Sequence, residues 1–582
     1  MILSLTLALT AAYIAWNAIR LELNVCRARA LKVPIVRIPF DVNNNVWVII
    51  QPLVWKLLAR LLPNTPWSSY PDVVRFSHRN WYFTEKSDTA ERFGRVWALV
   101  SPGNVHLQVS DPDVIRDMCS RWRDFSRPVQ IYKMLAVYGP SVVTVGLQDW
   151  PRHRKAVATT FNESINQFVW DESLRQALSM TQYWTSPPSS AAIPDMEEDI
   201  RSLSLNVLAA TAFREPYAFR GSTQLLQDSS NDNKNDKVNN TRTYRDALRV
   251  VNKHAIPLML IPYRYLASPI PIIPQALARI GRAAVSLRGF LTSMVAAETE
   301  ALNRGEAGSG GLMTHLVRSA LDQETAHRIG FADDVKSASK KGLLSFDEIL
   351  GNVFLINFAG HDTTAVTLSF AMMLLAARPD VQEWLHDEIV AVSGGRPVAE
   401  WDYHEMFPRL LRCRAVFLET LRLYAPIIGL PKLSSDKPQT LHVPGRDGDT
   451  LVVPPGSEIY PLLLCVQTDP KYWPDEPRKW KPARWITQEG GLLVPELGSY
   501  LPWADGPQGC PGKKFSQVEA VAVLAGLFGG HRVRVVPRRG ESEQQARGRA
   551  QACADDVNYD LLLRMNHADG VRLQVVETEV DG

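Results

Sequence analysis

The chemistry of this sequence gathers around one cysteine. Trp503-Ala504-Asp505-Gly506-Pro507-Gln508-Gly509-Cys510-Pro511-Gly512 is a loop rich in Gly and Pro, and the run from Lys513 to Leu527 behind it reads as a helix. A cysteine just ahead of a helix N-terminus meets the positive end of the helix dipole and several free backbone N–H groups. Both favour the thiolate over the thiol. The glycines let the backbone come close to something flat or bulky. The loop therefore suits a thiolate held for a metal or a nucleophilic step; a cysteine buried in a tight turn is the plainer alternative.

A second group lies in Ala359-Gly360-His361-Asp362-Thr363-Thr364, inside the longest helical pattern, Ser345 to Arg378, which Pro379 ends. Ser345 and Glu348 have capping-box spacing. The pattern is apolar all round, so it is expected to cross the core. Gly, Asp and two Thr are unfavourable in a buried helix and need a reason. Gly360 removes a side chain, so a flat ligand can approach. Thr363 follows Ala359 by four residues, and its hydroxyl can bond the carbonyl there and loosen the helix into a pocket. Asp362 beside it can pass protons. A simple kink is the alternative.

Two further pairs stand out. Trp150 and Arg154 share a face of a helix opened by Asp149 and Pro151. An indole N–H and a guanidinium side by side can bind carboxylates, although an ordinary Arg packed on a Trp has the same spacing. Glu419 and Arg422 share a face of the helix Leu410 to Tyr424. Solvated pairs of this kind contribute under about 1 kcal/mol. Here Val416, Phe417, Leu418, Leu421 and Leu423 point to burial, which needs additional partners. Pro477 to Trp485, further on, offers Arg484.

These segments together resemble the cytochrome P-450 superfamily, the haem-thiolate monooxygenases, in its microsomal, fungal style. That family's ligand loop has an aromatic, two residues, Gly, three residues, Cys, one residue, Gly. Trp503, Gly506, Cys510 and Gly512 fall on it, and Phe515 and Glu519 match its continuation. Five signals appear in the family's order between about Asp149 and Glu519. The resemblance implies a mostly α fold with small β-sheets, one large haem domain behind an N-terminal transmembrane helix. It implies haem b (iron protoporphyrin IX) with Cys510 as the axial ligand, and dioxygen as co-substrate. Trp150 and Arg154 would bind its propionates, with Gly360, Trp503, Gly506 and Gly512 around it. Thr363 and Asp362 would deliver protons. Glu419, Arg422 and Arg484 would form a structural lock. Phe125 to Tyr138 and Phe354 to Phe358 are expected pocket walls.

The activity so implied is oxidation of a hydrophobic small molecule in secondary metabolism, of terpenoid, polyketide or peptide origin. Electrons would come from a separate NADPH-cytochrome reductase, since the chain carries no flavin or NADPH motif; Lys513 and Lys514 are candidate docking charges. Two rivals are a haem-thiolate isomerase or dehydratase that needs no reductase, and a non-catalytic haem-binding membrane protein. The intact Asp362/Thr363 pair favours oxygen activation. Three positions depart from the family. Trp503 replaces Phe. Gln508 replaces the Arg or His that binds a propionate, which shifts haem retention onto Arg154 and Lys432. Ser516 replaces a common Ala and is expected to matter little.

The rest of the chain must position these residues. It has 582 residues, 46% hydrophobic and 21% charged, a globular composition with ample core. A net charge of +3 argues against nucleic acid as a partner. Six scattered cysteines without a CxxC pair exclude a metal cage by spacing and suit a reducing compartment. Met1 to Ile19 carries no charge; as a helix it rises about 28 Å, close to the thickness of a bilayer core. Arg20, Arg27, Arg29 and Lys32 follow, with only Glu22 against them. This is expected to be a single-pass anchor in lipid of the endoplasmic reticulum, with the catalytic domain in the cytoplasm. No positive charge precedes the run, which argues against a signal peptide.

The expected divisions are an anchor over 1–19, a basic linker with a candidate interfacial helix over 20–71, and the haem-thiolate domain over 72–582. The candidate helix is Val46 to Leu62, broken at Pro52, with Trp47 and Trp55 at headgroup depth; packing against the domain is the other reading. A hairpin is expected over Val96–Val100 and Val105–Val109, then a helix over Asp111–Trp122. Leu451 to Ile459 reads as strand, turn and strand, and Leu561–Arg564 with Val571–Val575 as a hairpin. Ile256 to Pro274, with five prolines, reads as an irregular connector. Ser222–Thr241, Gly305–Gly311, Ala332–Gly342 and Gly540–Asp556 are expected to be loops.

Overall fold

The structure is a computed structural model. It describes residues 2–578 except 42–43, 64, 188–190, 215, 225–243, 271–272, 319–343, 445–449 and 560. Most of the expected loop Ser222–Thr241 and all of Ala332–Gly342 lie outside the described residues.

The fold is mostly helical with small sheets. The main helices are α1 Ile2–Arg29, α2 Asn45–Leu61, α3 Trp150–Ala158, α4 Glu163–Thr185, α5 Met196–Phe213 and α6 Tyr244–Lys253. They continue with α7 Gln275–Asn303, α8 Phe346–Ala377, α9 Pro379–Ser393, α10 Leu411–Leu423, α11 Lys513–Phe528 and α12 Glu543–Asp555. α8 is the axis. It starts at the expected capping box, with Ser345 and Glu348 bonding each other's backbone N–H, and nearly every side chain along it is buried. α5 packs along one side of it and α12 along another, while α11 packs on α4. Glu348 does a second job: Arg152 forks onto it, donating one bond at 2.7 Å, and so ties α3 to the start of α8.

One six-stranded sheet runs β1 Ile35–Arg37, β2 Val96–Val100, β3 Val105–Val109, β8 Glu458–Pro461, β5 Lys432–Ser434, β4 Phe125–Ser126. The expected β2–β3 hairpin is present, with Val96 opposite Val109. Asp111 caps the helix Pro112–Ser120 that follows. The stretch expected as strand, turn and strand is found so, but its two strands pair elsewhere and not with each other. β7 Thr450–Val453 pairs with β6 Gln439–His442, while β8 joins the main sheet. The C-terminal hairpin is also repartnered. β11 Leu563–Met565 pairs with β10 Val557–Tyr559, and β12 Leu573–Glu577 pairs with β9 His531–Val535. Alternation marks a strand but does not name its partner.

The expected solvated loop Gly540–Asp556 contains α12. Ser542 and Gln545 form its capping box, and Ala546, Ala550, Cys553 and Ala554 are buried. The small residues recur at helical spacing among charges, so a narrow stripe lets the helix lie close on α8. Ile256–Pro274 holds two short helices, Ala255–Leu260 and Tyr263–Leu266.

The segment 20–71 is built into the body. α1 runs on to Arg29 and buries Val25 and Ala28, and Asn24 donates to the Ser101 carbonyl at 2.9 Å. β1 pairs with β2. Asp41 accepts from Ser101 at 2.7 Å and meets the buried His106 ring at 3.2 Å, with Glu458 on that ring's other nitrogen at 3.1 Å. α2 is continuous through Pro52; the missing N–H frees only the Val48 carbonyl, and Pro52 lies on the exposed side. Trp47 and Trp55 face the protein. Trp47 stacks on Phe40 at 4.4 Å and donates to the Ser77 carbonyl, and Trp55 packs on Trp67, Tyr70 and His78. No single described helix is long and apolar enough to cross a membrane.

Candidate active site

Gly506 and Cys510 take their places from backbone geometry. Gly506 has φ +67, and a Cβ there would meet the Cys119 carbonyl oxygen at 2.5 Å, so only glycine fits. The Gly509 N–H closes a turn onto Gly506, and the Cys510 N–H donates to the Trp503 carbonyl at 2.8 Å. This sets the sulfur just ahead of α11. Its surface is open, although dense protein surrounds it. Burial pushes the Cys510 thiol up, while the Gly512 backbone and the Arg154 and Arg127 charges draw it back. At Gly512 a Cβ would rest in ordinary contact with Phe161 and, at 3.9 Å, the Cys510 sulfur. Protein atoms alone therefore give no steric reason for that glycine.

Trp503 and Ser516 turn out to belong together. The Trp503 indole N–H donates to Ser516 Oγ at 3.1 Å. A Phe with an Ala would need no such bond, so the two departures compensate each other. The expectation that Ser516 matters little is corrected on this point.

The second group lies on α8. Along this buried helix Ala359 is exposed and Ile356, Gly360 and Thr363 are half-buried, at spacings of three, four and seven from Ile356 that put them on one face. Thr363 Oγ1 donates to the Ala359 carbonyl at 2.9 Å, as its spacing foretold. Gly360 has a packing reason as well: a Cβ would press on Leu208 of α5 at 3.1 and 3.3 Å.

Asp362 points elsewhere. It bonds Arg201 of α5 at 3.1 Å through one oxygen and Arg564 of β11 at 2.5 Å through the other. Burial would raise its carboxyl, but His361, Arg564 and Arg201 outweigh this and hold it below the usual range. Arg201 and Arg564 are far away in sequence and carried no motif, so sequence reading missed them.

A cluster of donors rings the loop. Trp150 is buried and its indole N–H has no partner. Arg154 donates to the Gly509 carbonyl at 2.8 Å, Arg127 to the Gln508 carbonyl at 2.7 Å, and Lys432 Nζ to Gln508 Oε1 at 3.2 Å. Arg127 carried no sequence signal. An orphaned N–H beside three cations fits a group bearing carboxylates, and an exposed cysteine ahead of α11 in a loop shaped by Gly506 fits a group that takes a sulfur ligand. Haem b has both properties.

Glu419, Arg422 and Arg484 meet as the resemblance implied. Arg422 forks onto Glu419 at 2.8 and 2.9 Å with both side chains fully buried, and Arg484 adds a bond at 3.0 Å. The Trp485 indole and the Lys481 backbone also donate to Glu419. Arg422 satisfies its remaining donors on the carbonyls of Gln467, Pro477 and Lys479. Tyr138 and Phe354, both expected pocket walls, are in edge contact at 4.9 Å.

The family model for cytochrome P-450 matches residues 63–551. The chain belongs to that family. Its cytochrome P-450 relatives include a monooxygenase of Arthrobotrys oligospora, 28% identical over 97% of both chains. Another, of Penicillium roqueforti, is 26% identical over 90% of this chain and 89% of its own. A phomenoic acid biosynthesis cluster monooxygenase of Leptosphaeria maculans is 25% identical over 94% and 95%. The chain is accordingly a cytochrome P-450 monooxygenase of fungal type, an oxidoreductase that uses haem b and dioxygen. Members of the family generally draw electrons from a redox partner and bind hydrophobic substrates.

Proposed function

We propose that this P-450 binds haem b through Cys510 and oxidises a hydrophobic small molecule in fungal secondary metabolism. The observation that carries this is the exposed Cys510 held ahead of α11 by its glycine-shaped loop, with the buried, orphaned Trp150 N–H and the cations Arg154, Arg127 and Lys432 gathered on that same loop. The cluster origin of the Leptosphaeria maculans relative supports the metabolic setting.

Haem held by a thiolate supplies dioxygen activation, since the thiolate donates electron density to iron and favours O–O cleavage. The chain's own residues do the rest. Trp150, Arg154, Arg127 and Lys432 would hold the haem propionates, with Lys432 and the Gln508 amide where the family usually has one Arg or His. Trp503, Gly506 and Gly512 shape the ligand loop around the sulfur. Thr363 donates its hydroxyl to the Ala359 carbonyl on the half-buried face of α8, where it would sit beside the dioxygen. Asp362 passes protons from the far side of α8. Inserting one oxygen atom into a C–H bond takes dioxygen, two electrons and two protons, and releases water. The electrons come from a separate NADPH-cytochrome reductase.

The membrane setting rests on exposed apolar side chains. Leu5, Leu7, Leu9, Tyr13, Ile14, Trp16 and Ile19 of α1 are all more than half exposed. On α2, Val46, Ile49, Leu53, Leu57 and Leu61 form a second exposed apolar face. We read the first as a single-pass anchor of the endoplasmic reticulum and the second as lying in the lipid interface, with the body on the cytoplasmic side.

The test is the Soret band of the reduced protein with carbon monoxide. The parent is expected to show the thiolate-type red shift, and Cys510→Ala to lose it. A parent without the shift defeats the reading. Product formation without NADPH or reductase would point instead to an isomerase or dehydratase.

A further inference from the structure

α12 ends just before a hairpin that walls a cavity. Its small residues, Ala546, Ala550 and Ala554, let it lie close on α8, so α8 fixes its height. Its last residue, Asp555, is exposed, yet it accepts a bond from the Tyr424 hydroxyl at 2.8 Å. Asp556 comes next. The backbone N–H of Asn566 donates to its carbonyl at 2.9 Å and the Asn566 side chain to its carboxylate at 2.6 Å. These bonds close the root of the β10–β11 hairpin.

The other end of the Asp555 bond is rigid. Tyr424 follows α10 directly, two residues after Arg422 of the buried lock. It is 2% exposed, stacks on Phe370 of α8 at 4.9 Å and meets Phe83 at 5.9 Å. Burial holds its hydroxyl protonated, ready to donate. Two residues further on, the Pro426 carbonyl accepts the Leu563 N–H of β11 at 2.9 Å. The hairpin turn supplies Asn558, Leu561 and Leu562 to a cavity of about 230 Å³. Leu205 of α5 and Phe358 of α8 stand in the same lining and give it an apolar patch. Phe358 stacks on Phe354 at 5.9 Å, and Phe354 meets Tyr138. The cavity thus shares a wall with the aromatic residues expected to enclose a substrate.

We propose that α12 and the Tyr424–Asp555 bond form a spacer that sets how far Leu561 and Leu562 project against a bound substrate, and so determines which hydrophobic molecules fit. Tyr424 and Asp555 are positioning residues, since neither stands in the lining of the cavity. The outer edge of the hairpin is tied separately, by Asn80 to Val557 and Tyr559. Loss of the Asp555 bond therefore lets the root shift while β10 and β11 stay paired. A buried tyrosine hydroxyl left without its acceptor is unfavourable, so the root is held firmly while the bond is made. This rests on the reading of the chain as a haem enzyme for hydrophobic substrates.

The experiment uses full-length, haem-loaded protein and two azoles that ligate haem iron through nitrogen, each titrated and read as a Soret red shift. Imidazole is small and reports the iron alone. Clotrimazole carries bulky aryl rings and reports the walls. Tyr424→Phe and Asp555→Ala should each weaken clotrimazole binding about three- to tenfold, the worth of one hydrogen bond, and leave imidazole within about twofold. Asp555→Asn keeps an acceptor oxygen and should restore the parent affinity. The double variant should be no weaker than either single one. Leu561→Ala, at the wall itself, should weaken clotrimazole and spare imidazole. Parent affinity for clotrimazole in both single variants overturns the spacer. So does an equal loss for both azoles, which is damage to the haem pocket as a whole. An additive double variant, or a Leu561→Ala protein that matches the parent, overturns it as well. A parent that gives no shift with imidazole defeats the haem reading, and the spacer with it. If Tyr424→Phe does not load haem, Asp555→Ala, at an exposed position, decides by the same comparison.

Discussion

At the scale of single residues, the ligand loop shows how one departure calls for another. Trp503 brings an N–H that Phe lacks, and Ser516 Oγ accepts it. Ser516→Ala should lower stability by about 1 kcal/mol with Trp503 present and have little effect in a Trp503→Phe background, as read by thermal unfolding of all four proteins. Gln508 is the other departure. Lys432 reaches its amide oxygen, so a positive charge already stands next to that position. Gln508→Arg should hold haem at least as tightly as the parent, measured by haem transfer to apomyoglobin; faster loss would show that the added charge strains the Lys432 site. Both departures were visible in the sequence, and Lys432 was expected to share the role of position 508, but neither the Trp503–Ser516 bond nor the direct Lys432–Gln508 bond was. Ser516 lies thirteen residues from Trp503, and Lys432 lies seventy-six from Gln508.

At the scale of elements, what could be read depended on how locally each element is determined. The α8 capping box, the Thr363 back-bond and the β2–β3 hairpin are set by neighbours within five residues or so, and all are found as expected. At the C-terminus the expected pairing failed: β11 pairs with the adjoining β10, and β12 takes the distant β9. α12 was hidden because four small buried residues among charges look like a loop by composition. The Glu419 lock is local in its pair but distant in its third member. Arg422→Ala would take away the fully buried partner of Glu419 and leave that carboxylate with Arg484 as its one ion-pair partner among the described residues. It should cost about 3–5 kcal/mol, or prevent haem loading outright, checked by denaturant unfolding. The His106 clasp joins the N-terminal segment to the sheet. Burial would lower this histidine's pKa, but the carboxylates of Asp41 and Glu458 prevail and push it up to about 9. Its folded value thus exceeds its unfolded one. The clasp contributes fully below pH ~6.5 and fades as pH rises through about 9. The parent should therefore lose more thermal stability than His106→Gln between neutral pH and pH 9–10.

At the scale of the molecule, five spaced signals in order identified the family, because haem chemistry demands fixed residue types in a fixed sequence of elements. The extent of the body was harder to read. A basic stretch after an apolar run looks like a linker by charge alone, yet α1, β1 and Asp41 weave it into the sheet. Deleting residues 1–19 should move the protein from the membrane pellet toward the soluble fraction without loss of its carbon monoxide spectrum. Deleting 1–41 should also destabilise the body, because it removes β1 and the Asp41 side of the clasp.

α2 has one more consequence. It grips the protein with Trp47, Gln51 and Trp55 and turns Val46, Ile49, Leu53, Leu57 and Leu61 outward. On the proposed membrane reading, α1 and α2 would give the body two separate footholds, α1 held to the sheet and α2 held by Trp47, Gln51 and Trp55. One tether would let the enzyme spin and tumble above a bilayer. Two feet would leave it a single rocking motion about the line between them, and on that reading the same flank would always face the oil from which a greasy molecule would arrive.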